Sequence, residues 1–161
     1  MGSYSDEMKQ SFGEIVASLD DLGSLQKDFL TRRWLDQILW MEGAATRAQA
    51  RYYSLRLVTV VGAVVVPVLV GLNLSGDVGA AVAWVAVGLS LVVATSAAVE
   101  GFFNFGQRWR HYRRTAERLN AEGWLFFELV GDYVSENGHA GAFPRFAARV
   151  EDLLREDVDV Y

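Results

Sequence analysis

The sequence predicts an all-α membrane protein: a long antiparallel helical hairpin with two transmembrane spans and cytoplasmic helical extensions, plus short N- and C-terminal helices. Three observations predict it. Residues 57–74 and 78–99 hold no Lys, Arg, Asp or Glu, and after Glu100 no charge returns until Arg108. Each run reaches the roughly 18–20 apolar residues that a helix needs to cross about 30 Å of hydrocarbon. The flanks are basic: Arg47, Arg51 and Arg56 precede the first run, and Arg108, Arg110, Arg113, Arg114 and Arg118 follow the second. That bias places both termini in the cytoplasm. Between the runs, Asn73-Leu74-Ser75-Gly76-Asp77 reads as a tight turn without Lys or Arg, facing outward.

The elements are taken in chain order. Residues 1–24 hold Met8, Phe12, Ile15, Leu19 and Leu22 at steps of four and three, one face of a short amphipathic helix. Its polar side is acidic, which suits packing on a cytoplasmic domain better than lying on a membrane. Gly23 ends it, and Ser24 is the expected cap of the next helix. Residues 25–56 form a stalk helix on the stripe Trp34, Ile38, Met41, Ala45, Ala48, Tyr52 and Leu55. No breaker separates it from the first span at 57–74, where Pro67 should kink the helix. The second span covers 78–103. A returning stalk at 104–131 carries Phe105, Trp109, Tyr112, Ala116, Leu119, Gly123, Phe126 and Val130.

Folding about Ser75 and Gly76 pairs Trp34 with Ala116, Ala45 with Phe105, and Gly62 with Gly88 and Leu89. Large side chains then meet small ones. Residues 131–138 read as a polar loop. A last helix at 143–160, with Pro144 in its first turn, carries Phe143, Phe146, Ala147, Val150, Leu154, Val158 and Tyr161.

Composition narrows the function. The chain has 161 residues and a net charge of −5, yet its arginines crowd the spans while acids dominate both ends. Arg51, Arg56, Arg108, Trp109 and Arg110 therefore suit topology and anionic lipid rather than nucleic acid. With zero cysteines, disulfides and thiolate metal sites are excluded. The N-terminus lacks a basic region before a short apolar core, so the first span is expected to act as its own insertion signal. His111 and His139 fall in separate elements without metal-ligand spacing, and no phosphate loop or nucleophile arrangement is visible. No enzymatic activity, cofactor or metal is expected.

The chemistry that stands out is Glu100, ionisable within an apolar helix. Extrapolating the stalk stripe backwards puts Ala98, Phe102 and Phe105 on the seam and turns Ser96, Glu100 and Asn104 to the outer face. Arg51 lies at the same depth but on another side. Two readings stay open. Glu100 snorkels or makes an intersubunit salt bridge, or Ser96, Glu100 and Asn104 line an ion path. In the second case Leu89, Val92 or Val93 form a hydrophobic constriction, and cations are preferred to anions.

Three stretches resemble a known family. Arg33-Trp34-Leu35-Asp36, Tyr52-Tyr53 and Leu55-Arg56-Leu57 resemble the lead-in to its first span. Glu100-Gly101, Phe105-Gly106, Arg108-Trp109-Arg110-His111-Tyr112-Arg113 and Glu122-Gly123-Trp124 resemble the exit from its second. Ala142-Phe143-Pro144-Arg145-Phe146 and Val150-Glu151 resemble its last helix. Together, over residues 28–161, these are similar to the SLATT-type bacterial proteins with two transmembrane helices. The resemblance implies an inner-membrane effector that forms pores in bacterial conflict systems. It also implies that nucleotide control, if present, acts through a separate cytoplasmic partner. The expected function is thus a homo-oligomeric ion-conducting pore, since one hairpin encloses no water. The alternative is a membrane-anchored interaction module whose stalk docks a cytoplasmic partner.

Overall fold

A computed structural model describes residues 2–72 and 74–159, with side-chain surroundings for 6–72 and 74–156. Asn73 of the turn, the side chain of Val158 and Tyr161 lie outside the described residues. The described chain is all helical: α1 Gly2–Ser18, α2 Ser24–Asp28, a π-helical stretch Phe29–Leu35, α3 Asp36–Gly71, α4 Gly76–Phe103, α5 Phe105–Phe127, a 3-10 turn Gly131–Tyr133 and α6 Gly138–Asp159. It divides into two compact units: Met1–Ala45 with His111–Tyr161, and Thr46–Arg110.

The first unit holds a conventional core. Phe12 and Val16 of α1, Leu30, Trp34, Ile38 and Met41, Ala116, Leu119 and Phe126 of α5, and Ala142, Phe146 and Val150 of α6 are buried together. These are largely the apolar stripes of the sequence. At the centre Trp34 is 0% exposed. Its ring packs edge-on against Phe12 and Phe127, and its indole N–H donates to the Leu119 carbonyl at 2.8 Å. The ring lies so close to α5 that a β-carbon at Gly123 would overlap it. Only a residue without a side chain admits that approach.

Around Trp34 the helix widens. The Asp36 N–H bonds back to the Thr31 carbonyl, five residues earlier. A π turn uses more residues than an α turn, so Leu30, Trp34 and Leu35 all reach the core. Regular 3.6-residue spacing would turn Leu35 away from Leu30 and Trp34.

Three local expectations need correction. Gly23, not Ser24, is the cap of α2, and its N–H donates to the Gln26 carboxamide at 2.8 Å. The loop after α5 is not purely polar: Tyr133 is 0% exposed and stacks edge-on with Phe126. Helix α6 begins at Gly138, so Pro144 is interior rather than in the first turn. The early start has a tertiary cause. Gly138 adopts φ +77, and the Asp21 carboxylate accepts the Ala140 N–H at 3.0 Å. A side chain from the other end of the sequence thus caps this helix.

The second unit pairs the apolar parts of α3 and α4. Both helices are long and apolar enough to cross a membrane, and only 6% of each apolar window is buried. The core helix of a soluble protein would be mostly covered. Here Val61, Val64 and Val68 of α3, and Trp84, Val87 and Leu91 of α4, stay exposed. Among the buried and partly covered residues, Tyr52, Leu55, Thr59, Gly62, Val66 and Leu69 on α3, and Val82, Ala86, Leu89, Val93, Ser96 and Glu100 on α4, recur at three and four. These two lines are the seam.

Register differs from the expected one. A β-carbon at Gly62 would meet Val93, about one turn beyond the expected Gly88–Leu89 partner. Leu74 lays its carbonyl against Gly79, so the start of α4 is folded onto the connection itself.

Candidate functional site

Helix α4 carries the residues for which chemistry was expected. Its hydroxyls mostly satisfy themselves. Ser90 Oγ donates to the Ala86 carbonyl at 2.7 Å and Thr95 Oγ1 to Leu91 at 2.8 Å, while Thr59 of α3 donates to Leu55 at 2.9 Å. Such back-bonding lets hydroxyls sit in an apolar helix without a partner elsewhere.

The helix ends at Asn104, whose φ of 49 and ψ of 42 are left-handed. Its N–H still bonds the Glu100 carbonyl at 2.9 Å, and its own carbonyl accepts the Gln107 and Arg108 N–H groups that open α5. Asn tolerates this conformation better than most residues. One left-handed residue resets the helical phase. Counting back from Phe105 in an unbroken helix gives the expected seam of Phe102 and Ala98. In the structure both are exposed, Phe102 to 81%. The seam instead passes from Phe105 to Glu100, Ser96 and Val93.

The expected outer stripe is therefore rearranged. Ser96 is buried at 9% on the side facing α3, and Glu100 is half-buried on the same side. Asn104 is exposed at the break, out of line with both. Among the residues expected to constrict a path, Leu89 and Val93 turn towards α3 and Val92 stays exposed. The structure thus keeps Ser96 and Glu100 together, one turn apart, and separates Asn104 and Val92 from them.

Arg51 is not an ion-pair partner of Glu100. Its guanidinium lies over the Phe105 ring, 5.8 Å from the centroid, a cation–π arrangement. Glu100 forms no salt bridge with any described residue. Tyr52 packs on the backbone of Gly106, where a β-carbon would lie 2.9 Å from the ring. Of the other expected anchors, Arg56 and Arg110 are exposed, and Arg108 and Trp109 are half-buried.

The first unit holds a polar cluster that sequence reading missed. The Tyr133 hydroxyl donates to the Glu122 carboxylate at 2.5 Å, and Arg149 Nε stands 3.8 Å from the other oxygen. Glu122 is buried on α5, Tyr133 belongs to the 3-10 turn and Arg149 to α6. Burial, then the bond to Glu122, pushes the Tyr133 phenol above its ordinary range. Residues eleven and twenty-seven positions from Glu122 show no shared spacing, so no local signal reveals the cluster. Near it, His139 contacts the Phe127 carbonyl at 3.0 Å and the Asp21 carboxylate at 3.6 Å. Burial raises the Asp21 pKa, but the Ala140 and His139 amides outweigh it and hold the carboxyl below its ordinary value. These contacts staple the turn after α1, α5, the 3-10 turn and α6 together.

These features describe an all-helical protein with two long apolar helices that could span a membrane, one of them carrying the carboxylate of Glu100 near its end. The chain belongs to the DUF4231 family of proteins of unknown function, whose family model matches residues 36–141. That match takes in both apolar helices and α5. No curated protein and no solved structure gives a significant match.

Proposed function

We propose that the chain inserts as a two-span hairpin with both termini cytoplasmic and assembles with copies of itself into an ion-conducting pore of the SLATT type. The inner membrane of a bacterium is the proposed location. One observation carries the reading. Glu100 is a carboxylate at the end of an apolar helix, half-buried and without a salt bridge to any described residue. An ionisable group within a span points to a partner or an ion. Repeated around an axis, the uncovered part of Glu100 forms a cation-attracting mouth near the cytoplasmic side. Ser96 packs the hairpin, and Asn104 ends α4 just beyond Glu100.

The uncovered faces support insertion and self-association. Large apolar side chains left bare on both helices favour lipid or another copy as cover. The interaction-module reading draws on a different observation: Leu25 and Val134 of the first unit are 81% and 72% exposed. They offer a cytoplasmic partner two apolar contacts.

Reconstituted vesicles discriminate. The wild-type protein conducts with a reversal potential set by cations, and Glu100→Gln shifts that potential towards zero selectivity while the oligomer survives. An unshifted potential in an intact, conducting oligomer sinks the ring of carboxylates. A stable monomer in mild detergent, with no flux in vesicles, removes the pore and leaves the interaction module.

A further inference from the structure

At the base of the hairpin, a groove of about 590 Å³ opens within the second unit. Arg51, Ser54 and Leu55 of α3 line one wall, and Val99, Phe103 and Arg108 line the other. The order along both walls is the same. Arg51 and Arg108 mark one end, and moving into the apolar runs, Leu55, Phe103 and Val99 come next. No carboxylate lines the groove among the described residues. Glu100, though adjacent to Val99, turns to the seam instead. The break at Asn104 contributes too. It starts α5 at Phe105, another lining residue, directly after α4 ends at Phe103 on the same wall. The volume falls in the range of sites for small organic ligands.

We propose that this groove binds one anionic phospholipid, with its phosphate between Arg51 and Arg108 and the start of an acyl chain along Leu55, Val99 and Phe103. Chemical complementarity supports this occupant. Two guanidiniums suit a phosphate diester, which they meet through planar donor forks. The remaining wall is apolar, which a free phosphate leaves uncovered and a lipid chain fills. Arg51 stands ready for this role because its guanidinium is held over Phe105 rather than extended at random. The site rests on the insertion part of the function proposed above and not on conduction. A bound lipid here wedges the hairpin beside the α4–α5 break at Asn104.

The test uses the full chain, reconstituted into vesicles of equal phosphatidylglycerol and phosphatidylcholine and then re-extracted in mild detergent. Mass spectrometry of the washed protein reads the retained lipid. The wild type retains phosphatidylglycerol over phosphatidylcholine. Each arginine near a membrane surface contributes roughly fivefold to such binding, so Arg51→Gln with Arg108→Gln lowers retention by about 25-fold. Ser54→Trp, which keeps both charges and fills the groove, lowers it as well and guards against a charge-loss variant that fails to fold. Equal retention of both lipids by the wild type, or wild-type retention by all variants, overturns the site. So does displacement of the lipid by inorganic phosphate, which marks an anion site without a chain. Carbonate washing of native membranes separates the two failures: extraction of the wild type overturns insertion and the lipid site together. A protein that resists extraction but shows no lipid preference loses the lipid site alone.

Discussion

Two residues in the first unit set its core, and both can be tested singly. Gly123 exists so that α5 can reach Trp34. Gly123→Ala drives a methyl into a fully buried ring and should destabilise by about 1–3 kcal/mol, the usual effect of overpacking. Trp34→Phe opens a cavity and removes the indole N–H bond to the Leu119 carbonyl, which keeps its helical partner, at about 1–3 kcal/mol in all. If the two are in contact, the double variant loses less than the sum, and thermal melts of all four proteins measure the difference. Strict additivity would falsify the close approach. Tyr133 makes a prediction in pH. Its folded-state pKa is raised above the ordinary 10.0, so the folded chain holds the phenolic proton more tightly than the unfolded chain. That stabilisation is complete below about pH 10 and is lost as pH rises towards the folded value. Tyr133→Phe should therefore melt lower at pH 8, because Glu122 loses a donor, yet show a shallower decline between about pH 9 and 11. Parallel declines would mean that the phenol does not titrate with unfolding.

At the level of elements, the left-handed residue at Asn104 and the π turn at Phe29–Leu35 decide which faces meet. Each is a local departure that distant contacts stabilise. A left-handed non-glycine residue costs roughly 1–2 kcal/mol, too little to appear as a stop signal in sequence and enough to need support. The register that results is directly testable because the chain has no native cysteine. A β-carbon at Gly62 would lie 3.5 Å from that of Val93. That separation suits a disulfide. Gly62→Cys with Val93→Cys should oxidise readily to a cross-link within one chain, revealed by faster migration that reducing agent reverses. Gly62→Cys with Leu89→Cys should oxidise poorly. The opposite order of reactivity would restore the register in which Gly62 faces Leu89.

For the molecule as a whole, the question is what covers α4. Ala94, Ala97, Ala98 and Gly101 are all exposed, and small residues allow backbones to approach in lipid. If neighbouring copies pack there, Ala94→Leu should shift the detergent-solubilised protein towards smaller species in cross-linking and size-exclusion measurements, while the first unit keeps its melting temperature. An unchanged size distribution across bulky substitutions at all four positions counts against self-association on this face. The two units make such a separation of readouts possible, since the buried core lies in one and the apolar helices in the other.

Features that repeat or accumulate along the chain were legible without coordinates. Two charge-free runs of sufficient length, the stripes through Trp34–Met41 and Ala116–Phe126, and the apolar face of the last helix could be read because burial selects apolar side chains at each helical turn. Summed over a helix, that signal outweighs any one residue. Phase and termination came from tertiary packing alone. The seam through Glu100, Ser96 and Val93 depends on one residue, Asn104, that interrupts the count. Leu35 reaches the core through a π turn. Helix α6 starts five residues early because Asp21, more than a hundred positions away, caps it. The Tyr133–Glu122 bond joins residues with no common period. Each of these is a single interaction of about a kcal/mol between residues brought together by folding, and periodicity carries no record of it.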